Sequence, residues 1–324
     1  MANPLFASVF AVAMTMACSS IPKTDATASS QAHQAEEVDK NSAEPIALDV
    51  ADWWTTKNPC PLGAALKGSA PPAGTSVACE MDGVANGRCT QFHENGKRAS
   101  SDFYFHGKLH GAHTQWYATG VIEEESHYSN GLLDGKFVRY HPSGKEQTEG
   151  DYHRGKERGF FTNYAETGER LDVVEYVEGK KHGKSRSYYE TGKLREEVEY
   201  ASGMKHGPVH SYYPSGAKRE EGLYANDQRV SVWRSFREDG MPLEEIQYVA
   251  GKKEGAITRW HATGPKELEG FYKANLKSGT FNYYDEDGEL TKTEEYRAGK
   301  LTSVKRLVPS NKKSHAVALR RVSP

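Results

Sequence analysis

Residues 183 to 207 read GKSRSYYETGKLREEVEYASGMKHG, and residues 159 to 183 before them read GFFTNYAETGERLDVVEYVEGKKHG. Gly, an aromatic residue, Gly, Tyr and Gly return at the same offsets. The register holds outward from there without insertion or deletion. Repeats of 24 residues begin at 87, 111, 135, 159, 183, 207, 231, 255 and 279. Position 6 is always aromatic: Phe92, Trp116, Tyr140, Tyr164, Tyr188, Tyr212, Phe236, Trp260 and Tyr284. Position 10 is Gly in all nine, and position 18 is Tyr in all nine, from Tyr104 to Tyr296. Position 21 is Gly except at Asp227 and Asn275, residues that tolerate positive φ best after Gly. Self-similarity this strict marks a repeat architecture, in which no single unit buries its own apolar stripe.

Each repeat reads as a hairpin. Positions 2 to 7 and 12 to 18 are short strands, positions 8 to 11 form a Gly-centred turn, and positions 19 to 25 turn into the next repeat. The expected fold class is all-β: an elongated antiparallel hairpin meander, one twisted sheet of about eighteen strands. At ~4.8 Å per strand it would run roughly 85 Å. Alternation of side chains groups positions 6, 16 and 18 on one face as two aromatic ladders. Position 16 holds Gly150, Val174, Val198, Gly222, Ile246 and Gly270, leaving room for rings. Position 15, with Glu125, Glu149, Glu197, Glu221, Glu245 and Glu269, falls on the other, wet face. Arg139 and Arg259 at position 5 are expected to offset like charge there.

The flanks differ from the repeats. Residues 1 to 18 carry a short apolar run closed by Cys18, too short to span a bilayer and typical of an export signal. The segment resembles a bacterial lipoprotein signal, which implies lipid attachment at Cys18; Ser19 then favours the outer membrane. Residues 19 to 50 are rich in Ser, Ala, Thr and acids and read as a flexible tether. Residues 51 to 86 contain Trp53, Trp54 and a Gly- and Pro-rich loop between Cys60 and Cys79. They are expected to cap the first sheet edge. Residues 304 to 324 form a basic tail. If Cys18 is acylated, three cysteines remain, allowing one bridge and one free thiol.

The pattern of aromatic, Gly and Tyr-x-x-Gly over residues 87 to 303 resembles the MORN repeat, closest to its bacterial 24-residue, antitoxin-like variant. The stretches CPLGAALKG, PPAG and CEMDG resemble the N-terminal segment of exported bacterial MORN lipoproteins, which implies a Cys60–Cys79 disulfide. Cys89 would then be odd, a buried free thiol at position 3 or, alternatively, a partner of Cys79. The resemblance implies an elongated single sheet, with membrane binding, protein scaffolding and antitoxin-like neutralisation as rival roles.

Little in the chain points to catalysis. His110, His182 and His206 share position 24, and His93, His141 and His261 share position 7. Equivalent residues stand ~9.6 Å apart, two strands away, too far to share one zinc. No G-x-S-x-G, H-E-x-x-H or Walker-type loop occurs. Adjacent Glu pairs alternate across a strand and do not converge. No enzyme activity, cofactor or metal is expected. With a net charge of −2 over 324 residues, nucleic acid is not an expected partner either. The expectation is a non-enzymatic binding or scaffold protein of the cell envelope. It would recognise a protein through Trp116, Tyr140, Tyr164, Tyr188, Tyr212, Phe236 and Trp260. Anionic lipid or glycan is the alternative ligand.

Overall fold

The structure, a computed structural model, describes residues 52–307. Cys18, the segments 1–18 and 19–50, and the tail beyond residue 307 lie outside the described residues. The chain is all-β, an open antiparallel hairpin meander of 24 strands with one short 3-10 turn, Trp53–Thr55. Eighteen strands come from the nine repeats. The other strands are Ala65–Ser69 and Ser76–Met81 ahead of the repeats, Lys300–Arg306 after them, and three two-residue stubs where a repeat strand is broken. The described residues fall into two compact units, one ending at Lys156 and one starting at Glu157.

Strand boundaries follow from two turns with different chemistry. At the first turn, the position-7 N–H bonds to the position-11 carbonyl, as in Tyr189 to Lys193 at 2.9 Å, and Gly192 N–H returns to Tyr189 at 2.8 Å. The position-10 Gly takes φ of 78° at Gly192, which explains its invariance. The second turn is tighter than positions 19 to 25. Only positions 20 and 21 turn, and both have positive φ, as in Ser202 (51°) and Gly203 (91°). This is the mirror-image two-residue hairpin turn whose twist matches that of the strands. Asp227 (64°) and Asn275 (69°) replace Gly at position 21. Strands therefore run across the repeat boundary, from about position 22 to position 6.

The register corrects the expected sharing of faces. Within the fifth repeat Gly183 pairs with Tyr200, Ser185 with Val198 and Ser187 with Glu196. Odd positions on the first strand thus stand opposite even positions on the second. Positions 3, 5, 14, 16 and 18 share one face, and positions 2, 4, 6, 15 and 17 share the other. The position-6 aromatics are not on the face of positions 16 and 18. Counting parity straight through the hairpin misses this inversion. In the C-terminal unit the core face buries Val198, Val209, Trp233, Ile246, Ile257, Leu268 and Phe281, flanked by position-18 tyrosines. In the N-terminal unit Phe137 packs edge-to-face on Tyr152, with ring centroids 5.5 Å apart. Room left by position-16 Gly goes to position 3. A Cβ on Gly222 would run into the Trp233 ring, and one on Gly270 into Phe281.

At the start of the N-terminal unit, Cys60 and Cys79 form a disulfide with Cα atoms 5.5 Å apart. Cys89 is fully buried, and no described cysteine is a free thiol, which corrects the free-thiol reading. A Cys79–Cys89 bridge is also excluded. Ala78, not Cys79, pairs with Cys89, so the two cysteines point to opposite faces.

Candidate functional site

The face carrying position 6 is built as parallel rows. In the C-terminal unit, Arg186 pairs in register with Glu197, Glu197 with His210, His210 with Glu221, Glu221 with Arg234 and Arg234 with Glu245. The expected Glu ladder is thus interleaved with Arg and His side chains from position 4. Arg186 Nε donates to Glu197 Oε2 at 2.6 Å, and Arg234 Nε to Glu245 Oε2 at 2.8 Å. Burial alone would raise the Glu197 pKa, but the bond and charge of Arg186 outweigh it and lower it. Arg139 and Arg259 do not serve this row. They lie on the core face, where Arg139 Nη2 meets Glu124 and Arg259 Nη2 meets Glu244, each at 2.8 Å.

The predicted site residues Trp116, Tyr140, Tyr164, Tyr188, Tyr212, Phe236 and Trp260 are all half-buried. They line this face beside the Arg–Glu row. Tyr140 Oη donates to Glu125 Oε2 at 2.8 Å, and Tyr284 Oη donates to Glu269. Burial, then the Glu269 bond, pushes the Tyr284 pKa up to about 12. Lys218 stands 5.9 Å from the Phe236 ring centre and bonds Glu221 at 2.7 Å.

One member of the row is already covered. Trp54 packs edge-to-face on Phe92, the first position-6 residue, with centroids 5.7 Å apart. Its neighbour Trp53, 5% exposed, donates its indole N–H to Thr90 Oγ1 at 3.0 Å. A peptide segment therefore docks on this face within the chain itself.

A second set of residues was not foreseen as a set. The position-7 side chain bonds the position-6 carbonyl one repeat later. His93 Nε2 bonds the Trp116 carbonyl at 2.8 Å, Tyr117 Oη that of Tyr140 at 2.8 Å and Tyr189 Oη that of Tyr212 at 2.6 Å. Tyr213 Oη reaches Phe236 and Arg237 Nη2 reaches Trp260, both at 2.8 Å, and His261 Nε2 reaches Tyr284 at 2.9 Å. Residue types vary at position 7, but each of these six is a side-chain donor of sufficient length; Ala165 and Asp285 are the exceptions at this position. That shared property was the available signal. Three position-24 side chains meet position 20 of the next repeat: His206 meets Asn226 at 3.3 Å, His110 accepts from Asn130 N–H at 3.5 Å, and Glu254 accepts from Ala274 N–H at 2.6 Å.

The core face adds cations over its tyrosines. Lys181 stands 5.4 Å from the Tyr200 ring centre, Lys205 5.1 Å from Tyr224 and Lys253 5.2 Å from Tyr272, each near enough for cation–π attraction. In the N-terminal unit, His113 and Asp102 replace the apolar pair of later repeats, with Nδ1 and Oδ1 2.5 Å apart. Ser100 Oγ donates to the other Asp102 oxygen at 2.7 Å. No group of three or more His, Cys, Asp or Glu side chains among the described residues is placed to hold a metal.

The MORN repeat variant model matches residues 109–130 and 181–201. Both matches begin at repeat position 23, in step with the 24-residue register, and they support a MORN-repeat protein. No curated protein matches the chain. Among solved structures, the crystal structure of TcdB2-TccC3-TEV is similar over 72% of this chain and 17% of its own, at 10% identity and a TM-score of 0.18. The Photorhabdus luminescens Tc holotoxin pore with a TccC3 mutation is similar over 74% of this chain and 17% of its own, at 11% identity and a TM-score of 0.17. The chain thus spans about a sixth of the length of these structures. Values this low carry neither fold nor role to it.

Proposed function

We propose that the protein is a non-enzymatic, repeat-built binding and scaffold protein of the bacterial cell envelope. An export signal carries it out of the cytoplasm to a compartment where the Cys60–Cys79 disulfide persists, and the position-6 face recognises a protein partner. The observation that carries this reading is the seat of Trp54 on Phe92. The same kind of ring recurs at Trp116, Tyr140, Tyr164, Tyr188, Tyr212, Phe236 and Trp260. Half-buried aromatics beside arginines are the composition of protein-binding hot spots.

The test is a crosslinked pull-down of tagged full-length protein from its native envelope, with proteins and lipids both identified by mass spectrometry. One stoichiometric protein, held with weak salt dependence, is the expected result. Capture of lipid or glycan alone, released steeply by salt, overturns the protein-partner reading. Mass mapping of the Cys18 peptide tests the anchor separately. Acyl chains there would add an anchor; Cys18 in a disulfide removes it and leaves the face untouched.

A further inference from the structure

The Gly at repeat position 1 usually has a neighbour on it. A Cβ there would run into His127 at Gly135, Glu175 at Gly183, Glu199 at Gly207 and Gln247 at Gly255. Each of these is the position-17 side chain of the repeat before. At Gly159 and Gly279 nothing lies within 4 Å of that point, and before Gly279 the position-17 residue, Phe271, is instead 46% exposed. The gap opens into a cleft of about 660 Å³ in the C-terminal unit, lined by Lys273, Leu276, Lys277, Glu295, Tyr296 and Arg297 among others.

Its charged groups are not equally committed. Lys277 is engaged on the core face, 4.7 Å from the Tyr296 and Phe281 ring centres and 3.2 Å from the Tyr283 and Tyr296 hydroxyls. Glu295 accepts the Thr280 hydroxyl at 2.5 Å. Lys273 and Arg297 are exposed and have no ion pair among the described residues. Both occupy position 19, on strands two apart and so ~9.6 Å from one another. Leu276, 49% exposed, sits on the strand between them. Two long cations can therefore close on one anion above an apolar side chain.

We propose that this cleft binds an amphiphile with an oxyanion head, a carboxylate or phosphate ester, whose apolar chain lies on Leu276. The Arg297 guanidinium presents a fork that matches two oxygens of such a head, and Lys273 adds a point charge. Position 19 is neither Lys nor Arg in the seven earlier repeats, from Phe105 to Val249, so no other neighbouring pair of repeats is expected to bind.

The experiment is calorimetric titration of the full chain with octyl phosphate, octanoate, inorganic phosphate and octanol. At least one octyl anion should bind, about tenfold or more tighter than inorganic phosphate and than octanol. Which of the two wins identifies the head group. Lys273→Gln with Arg297→Gln should weaken binding about tenfold or more, and Leu276→Ser should erase the advantage of the chain. Lys252→Gln, an exposed charge outside the cleft lining, should change nothing. All four side chains are exposed, so folding is not at stake. Failure of both octyl anions to bind, equal binding of inorganic phosphate, or unchanged binding in the double variant overturns the proposal.

Discussion

Single residues carry the conformational cost of this fold. Position 20 needs positive φ whatever stands there, and Ala250, Ala274 and Ala298 adopt 48°, 50° and 48°. An L-residue in that region costs roughly 1–2 kcal/mol, and Asn bears it better than Ala. Ala250→Asn, which creates Asn-Gly with Gly251, should stabilise by about 0.5–1 kcal/mol, read as a higher urea midpoint at unchanged slope. Gly222→Ala should do the reverse, costing about 1–3 kcal/mol through overpacking against Trp233, with altered Trp fluorescence. His113 gives a pH signature. Burial alone would lower its pKa, but the bond and charge of Asp102 and the charge of Glu124 hold it above 6.5. A raised folded-state pKa means this stabilisation is complete below about pH 6.5 and is lost as pH rises through the folded value. The unfolding free energy should therefore fall across that window, and His113→Gln should lack the step. Identical pH slopes would assign the step to another group. Gly222 was legible as room for a ring, whereas His113 and position 20 were not. Position 20 varies from His to Ala, because a tight hairpin turn fixes its backbone and leaves its side chain unconstrained.

At the scale of the element, the hairpin was readable and the pairing between hairpins was only half so. Invariant Gly at position 10 and near-invariant Gly at position 21 located both turns, since a positive φ leaves few alternatives. The faces were misassigned because the register inverts parity across the first turn, and only pairing geometry reveals that. Phe137, Phe161, Trp233, Ile257 and Phe281 at position 3 were the available signal for the true core row. The clasp from position 7 was hidden for a different reason: its donors are His, Tyr and Arg, alike in reach but not in type. Each bond should contribute about 1 kcal/mol. Tyr189→Phe should lose that amount and speed amide exchange near Tyr212, whereas Tyr188→Phe removes no such bond. The Cys60–Cys79 bridge spans a sequence separation of 19. Replacing both cysteines with Ser should cost about 3 kcal/mol on chain-entropy grounds, with exchange rising first around Trp53 and Trp54.

For the whole molecule, the class of fold was written in the period, and the role was not. A 24-residue repeat states that neighbours must share an apolar stripe; it leaves open which surface meets a partner. Placing position 6 beside the Arg–Glu row turns an aromatic ladder into a mixed aromatic and charged face. Trp54 on Phe92 shows one way of covering it. Truncating Tyr188 or Tyr212 would disturb both packing and recognition, so substitution alone cannot separate the two faces. The most direct measurement is site-specific photo-crosslinking in the native envelope, with benzoylphenylalanine placed at Tyr188, at Tyr212 or at Tyr200 in three separate proteins. A protein adduct of the same mass from Tyr188, recurring from Tyr212 and absent from Tyr200, is the predicted result. Adducts from Tyr200 alone, or lipid adducts without any protein from Tyr188, would contradict recognition through the position-6 face.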